Sequence, residues 1–226
     1  MKIGIIVAMD KEMALLLPLI SDASTANVNG TDFHTGRIGR HSVVACKCGI
    51  GKVNAAIGAL TLIENFHPDL VVNTGVAGGT GAGQDPARVL DVVLAIEIAY
   101  HDVWCGPGTQ RGQVPGFPAR FECPLSSEAR TALGAKEGLL VSGDIFVDAV
   151  EDLQRILALY PEAKAVDMES AAIAQTCYTK NVPFICLRVV SDTPGDGGNA
   201  AAYDTFWTDA PTRTFSSVER LLDIIG

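Results

Sequence analysis

Short apolar runs with almost no polar interruption constrain this chain more than any other feature. Residues 2–9 read Lys2-Ile3-Gly4-Ile5-Ile6-Val7-Ala8-Met9, and Leu70-Val71-Val72 and Asp91–Tyr100 repeat the theme. Val182–Val190 is apolar apart from Pro183 and Arg188. A strand with one wet face alternates apolar and polar residues, so continuous runs belong to strands covered on both faces. Between them lie segments with helical spacing. Val53, Ala56, Ile57, Leu60, Ile63 and Glu64 predict a helix over 51–66 that stops before His67-Pro68. Further helices are expected over 126–135, 148–159, 167–179 (Ala-rich) and 207–225, and further strands over 31–38, 41–48 and 138–142. No repeat, linker or change of composition divides residues 1–226. The pattern is that of a single α/β domain whose sheet is largely parallel.

Charge narrows the partners. Seventeen Lys and Arg against 26 Asp and Glu leave a net charge of −9, with 19% of residues charged and 48% hydrophobic. A disordered chain has the opposite balance. A nucleic-acid partner draws its affinity from cations, and an anionic membrane needs a basic patch, so neither is expected. The apolar start halts at Asp10-Lys11-Glu12, too soon for a signal peptide, and no run approaches the ~20 residues of a membrane span. The six cysteines form no C-x-x-C pair and, with four histidines, no zinc spacing. They are read as small buried hydrophobes in a reducing cytoplasm.

In a parallel sheet the ligand lies beyond the carboxyl ends of the strands, so the residues after each apolar run carry the chemistry. They are Asp10-Lys11-Glu12, Gly49-Ile50-Gly51-Lys52, Asn73-Thr74-Gly75-Val76-Ala77-Gly78-Gly79, Tyr100-His101-Asp102, Ser142-Gly143-Asp144 and Ser191-Asp192. Asp167-Met168-Glu169 opens the Ala-rich segment. Each has a structural reading: Asp10 and Asp167 suit helix N-caps, with Glu12 and Glu169 in first turns. Arg188 resists one, because a cation inside a strand core needs a carboxylate or a ligand. Gly49–Lys52 is no phosphate loop, since Cys46 and Val53 replace its required Gly and its Ser or Thr. Residues 78–83 lack the dinucleotide G-x-G-x-x-G spacing. The glycines instead suit close approach of backbone to a small ligand.

Taken in order, these segments resemble the 5′-methylthioadenosine/S-adenosylhomocysteine nucleosidase family. The resemblance runs from residue 1 to about 215 and includes Ser142-Gly143-Asp144-Ile145-Phe146-Val147, Val166-Asp167-Met168-Glu169 and Arg188-Val189-Val190-Ser191-Asp192. It implies a nucleoside phosphorylase-like fold, a three-layer α/β/α sandwich around a mixed, mostly parallel sheet. It also implies hydrolysis of the N-glycosidic bond of a 5′-substituted adenine nucleoside, with methylthioadenosine, S-adenosylhomocysteine, 5′-deoxyadenosine and aminodeoxyfutalosine as candidate substrates. By resemblance Asp192 is the general acid at purine N7 and Glu12 activates water. Glu169 holds the ribose hydroxyls, and Arg188 orders the carboxylates. Met168 packs on the sugar, Phe146 stacks on adenine, and the Val147 backbone reads its edge. Ala8, Met9, Ile50 and Tyr203 line the 5′ side, and Val76, Ala77, Gly78 and Ser191 complete the pocket. No metal or organic cofactor is implied. A homodimer is, with residues around 101–118 near the neighbouring active site.

Four departures from the family stand out. Val76 replaces a Ser of some members, Tyr203 aligns only across a one-residue insertion, residues 193–200 are unusually glycine-rich, and the stretch Trp104–Glu122, with Gly106-Pro107-Gly108 and Pro115-Gly116-Phe117-Pro118, is distinctive. Two other readings remain to be weighed. A phosphorylase of the same fold would need a cationic cradle where this chain has Asp10 and Glu12. A non-catalytic nucleoside sensor would be expected to have lost one of Glu12, Glu169 and Asp192.

Overall fold

The computed structural model describes residues 1–194, 203–207 and 211–225. The first expected strand is β1 (Lys2–Val7), which leads into helix α1 (Asp10–Leu16). β2 (Ser21–Val28), β3 (Thr31–Ile38) and β4 (His41–Lys47) follow, then helix α2 (Lys52–Phe66), β5 (Leu70–Gly79) and β6 (Val92–Tyr100). The rest comprises β7 (Phe121–Glu122), α3 (Ser127–Leu133), β8 (Lys136–Ser142), α4 (Val150–Leu159), β9 (Ala163–Asp167), α5 (Ser170–Lys180) and β10 (Phe184–Asp192). A helical stretch α6 spans 203–207, and α7 runs over Pro211–Ile224. The glycine-rich run that follows Pro194 lies outside the described residues.

The ten strands of the described residues join one sheet in the order β10-β6-β8-β9-β5-β1-β4-β3-β2, with β7 beside β6. β1 pairs in parallel with β4 and β5, and β5 in parallel with β10. β10 also pairs antiparallel with β6, so β5, β10, β6, β8 and β9 close on one another. Apolar runs predict coverage of both faces, and β1 illustrates it. Ile6 packs on one side with Ala55, Ala59 and Leu62 of α2 and Ala171 of α5. Ile3, Ile5 and Val7 pack on the other with Met13 and Leu16 of α1 and Phe215, Val218 and Leu221 of α7. These are the three layers.

Several expected elements shift for physical reasons. β5 does not stop at Val72 but runs through the predicted glycine loop to Gly79, because Gly75 to Gly78 continue their pairing with β10. α5 begins at Ser170 rather than 167, since Asp167 ends β9, a strand that its low-propensity Ala and Lys concealed. β2 escaped prediction because it is an exposed polar edge, held by β3 alone. Of the cysteines, Cys46, Cys177 and Cys186 are buried as expected, whereas Cys105 is exposed. No helix among the described residues is long and apolar enough to cross a membrane.

Candidate active site

The parallel strands β1, β4, β5 and β10 share a direction, so their carboxyl ends open on one edge of the sheet. β9 joins them there: it pairs antiparallel with β5 only at Gly78–Val166 and Gly79–Ala165, carboxyl end against carboxyl end. This junction carries Asp167, Met168 and Glu169 to the edge occupied by Glu12 and Asp192. Residues far apart in sequence meet because the strand ends do.

Arg188 lies beneath that edge and is 1% exposed. Its Nη2 donates to Asp167 Oδ2 at 2.5 Å, Asn73 Oδ1 at 2.7 Å and Ser170 Oγ at 3.0 Å, and Nη1 donates to the Thr74 carbonyl at 3.2 Å. Glu169 Oε2 stands 3.8 Å from the same Nη2. Asp167 also accepts from Ser142 Oγ at 2.5 Å, from Ser170 Oγ, and from the backbone N–H groups of Glu169 and Ser170 at the start of α5. The predicted demand for an acidic partner is met by Asp167. Sequence reading had it only as a helix cap, although it lies two residues from Glu169.

Glu12 is 1% exposed and is held by backbone alone. Oε2 accepts from Ala8 N at 2.8 Å and Met9 N at 3.0 Å, and Oε1 accepts from Val76 N at 3.0 Å. Met9, not Asp10, is the N-cap of α1, and Glu12 completes a capping box at the third helical position. Capping and placement in the pocket are therefore one geometry. Gly75 makes room: it has φ +140°, and a Cβ there would lie 2.1 Å from Glu12 Oε1 and 2.8 Å from Arg188 Nη1. Burial raises the Glu12 pKa above the ordinary carboxylate value, opposed by the Arg188 charge and the three N–H donors.

Glu169 is the N-cap residue of α5, and its Oε1 accepts from Gly51 N at 2.9 Å. Gly51 ends the glycine loop after β4 with φ +93°, a left-handed setting that turns its N–H toward the carboxylate. Asp144, from the loop after β8, accepts from Lys52 N at 2.8 Å and so satisfies the first turn of α2. Burial first, then the Asp167 charge, push the Glu169 carboxyl up to about 7, against Arg188 and the Gly51 N–H.

Between these groups lies a cavity. Ala8, Met9 and Glu12 form one wall, Val76, Ala77 and Gly78 the floor, and Ser191 and Asp192 the end of β10. Val166, Asp167, Met168 and Glu169 close the opposite side, with Ile50, Phe146 and Tyr203 at the rim. Asp192 is 3% exposed and accepts from Ser191 Oγ at 2.7 Å. Val147 lines an adjoining recess that shares Gly78, Phe146, Met168 and Asp192. Thus the expected residues converge, apart from Arg188, which supports the pocket from behind. Val166 and Asp167 were missed as lining residues. The charged side chains of the lining are all acids; among the described residues it has no Lys, Arg or His.

A model of the phosphorylase superfamily matches residues 2–223. The chain is 40% identical over 228 residues to a 5′-methylthioadenosine/S-adenosylhomocysteine nucleosidase of Staphylococcus aureus, covering 97% of this chain and 98% of that relative. The Staphylococcus saprophyticus nucleosidase is 40% identical over 231 residues, at 99% and 100% coverage. The structure of the Neisseria meningitidis nucleosidase in complex with methylthio-immucillin-A superposes with a TM-score of 0.89, 36% identity and 98% coverage of both chains. That of the Colwellia psychrerythraea nucleosidase in complex with adenine gives 0.91 and 35%, covering 99% of this chain and 95% of that one.

Two stability experiments follow from the buried charges. Arg188→Met strands the Asp167 charge and is expected to cost about 3–5 kcal/mol in denaturant titrations. The Arg188→Met/Asp167→Asn pair should recover part of that loss; a double variant no more stable than the single one refutes the pairing. Glu12 and Glu169 both have folded-state pKa values above the unfolded ones. Each contribution to stability is therefore full below about 4.5 and is lost as pH rises, for Glu169 through about 7. Glu169→Gln should flatten this decline in denaturation midpoints measured between these limits.

Proposed function

The chain belongs to the 5′-methylthioadenosine/S-adenosylhomocysteine nucleosidase family, within the phosphorylase superfamily, and we propose that its acid-bearing pocket hydrolyses 5′-thio-substituted adenosines with water as nucleophile. The enzyme is an N-glycosyl hydrolase. Methylthioadenosine and S-adenosylhomocysteine are the substrates we assign; the same pocket chemistry extends to 5′-deoxyadenosine and aminodeoxyfutalosine.

Cleavage of an N-glycosidic bond passes through a ribosyl cation, leaving negative charge on the departing adenine. In our reading Asp192 protonates N7 as the bond breaks, and the proton leaves with adenine. Glu12 takes a proton from the water that attacks the anomeric carbon. Its raised pKa makes it a stronger base than an ordinary carboxylate. Glu169 accepts the ribose hydroxyls and adds negative charge beside the cation, while Met168 packs on the sugar. Phe146, 48% exposed at the rim, is free to stack on the purine, and Val147 backbone offers its edge a partner. Arg188 is a positioning residue, aligning Asp167 and Glu169. Ala8, Met9, Ile50 and Tyr203 take the 5′ substituent.

The observation that carries water over phosphate is the absence of a cation from the lining among the described residues. Arg188, buried behind the pocket, is occupied by Asp167. A phosphate dianion there would face Glu12 and Glu169 at close range. The same acids argue against a sensor that merely binds, because neutral groups would hold a nucleoside without their desolvation cost.

A homodimer is also proposed. The outward face of α2 exposes Val53 (70%) and Ile57 (58%), and Trp104 of the loop after β6 is 47% exposed. Val53 and Ile57 line a groove between α2 and α5 that also takes in Val103 and Val114 of the loop after β6. A second copy seated there would bring its residues around 101–118 toward this pocket.

Adenine release should proceed at equal rates with and without inorganic phosphate; strict dependence on it overturns the hydrolase reading. Asp192→Asn and Glu12→Gln should each lower kcat by about 10²–10⁴-fold with the circular dichroism spectrum intact. Near-normal turnover in both would refute the assigned roles. Ile57→Asp should shift the solution mass from two chains to one and lower kcat/KM.

A further inference from the structure

We propose that Lys11 makes the pocket selective for 5′ substituents ending in a carboxylate, an inference that rests on the nucleosidase reading above. Lys11 lies in the first turn of α1, between Met9 and Glu12, which both line the cavity. A cation at a helix N-terminus opposes the helix dipole, so helix stability does not account for it. Its side chain instead extends over the aromatic rim, with Nζ 5.9 Å from the Tyr203 ring centroid and 5.4 Å from that of Trp207. Both distances lie within cation–π range. Tyr203 is fixed in turn: its hydroxyl donates to Met9 Sδ at 3.2 Å, and its ring meets Phe146 and Trp207 edge-on at 5.9 Å each.

This places a positive charge beside Tyr203, on the side of the cavity assigned above to the 5′ substituent. Among the described residues Lys11 has no ion-pair partner. The adjacent Asp10 is engaged elsewhere, by Lys47 at 2.7 Å. All ionisable side chains that line the cavity itself, Tyr203 apart, are acids, so an anionic tail gains nothing deeper in and is best received at this rim. A methyl group at the same place meets only apolar and aromatic surface.

Two thioethers of equal size isolate the effect: 5′-S-propyl-5′-thioadenosine and 5′-S-(2-carboxyethyl)-5′-thioadenosine. The ratio of kcat/KM, carboxylate to neutral, is measured at low ionic strength in the wild type, Lys11→Gln and Lys11→Glu. It should fall about threefold in Lys11→Gln, the size of an exposed ion pair, and about tenfold on charge reversal. Added salt should lower it in the wild type only toward the Lys11→Gln value. An unchanged ratio overturns the inference, as does an equal loss on both substrates, which would mean that Lys11 only braces the aromatic rim. Failure of the wild type to release adenine from either compound overturns the nucleosidase reading, and this inference with it.

Discussion

Everything at the open edge of the sheet depends on one buried ion pair. Arg188 and Asp167 lie 2.5 Å apart with side chains almost wholly out of water. Neither could be buried alone, because an isolated ion in a protein interior costs several kcal/mol. The pair sits on β10 and β9 and draws its partners from β5, β8 and α5, so satisfying it pins the ends of several elements together. The pocket's shape follows from that constraint. Moving any one of these ends would leave a charge or a polar group unpaired.

The pair also sets the electrostatics above it. Glu12 and Glu169 are both desolvated, and both carboxyls are raised, yet each still feels Arg188. A single cation behind two acids moderates their repulsion without occupying the space where a substrate would sit. Backbone supplies the rest of the support: three N–H groups for Glu12 and one for Glu169. Those donors come from the turns before α1 and α2 and from β5 itself, where Gly51 and Gly75 let the carboxylates approach. In the reading proposed above, the arrangement suits chemistry that uses carboxylates and a water, and it disfavours an anionic nucleophile.

Much of this was legible in the chain. Continuous apolar runs marked the buried strands, and the polar residues after each run marked the site. Glu12, Glu169, Asp192 and most of their neighbours in the cavity were found that way, with the family resemblance ordering them. The failures share a cause. β2 has no apolar face to betray it, and β9 is a short strand of weak propensity. The continuation of β5 through Gly79 was hidden by glycines that read as a loop. In each case pairing with a neighbour strand decided the structure, and the neighbour is distant in sequence.

The sequence by itself determined the layered α/β architecture and the acid-rich edge, because burial period and residue chemistry are properties of local segments. It also determined that Arg188 must have an acidic partner, because the cost of a buried charge does not depend on topology. Only the tertiary structure decided which acid that would be. Asp167 faces Arg188 because β9 meets β5 end to end, a contact between residues almost ninety positions apart in the chain. The tertiary structure likewise made Glu12 a pocket wall and a helix cap at once. Packing settled both questions, since each depends on where separate strand ends come to rest.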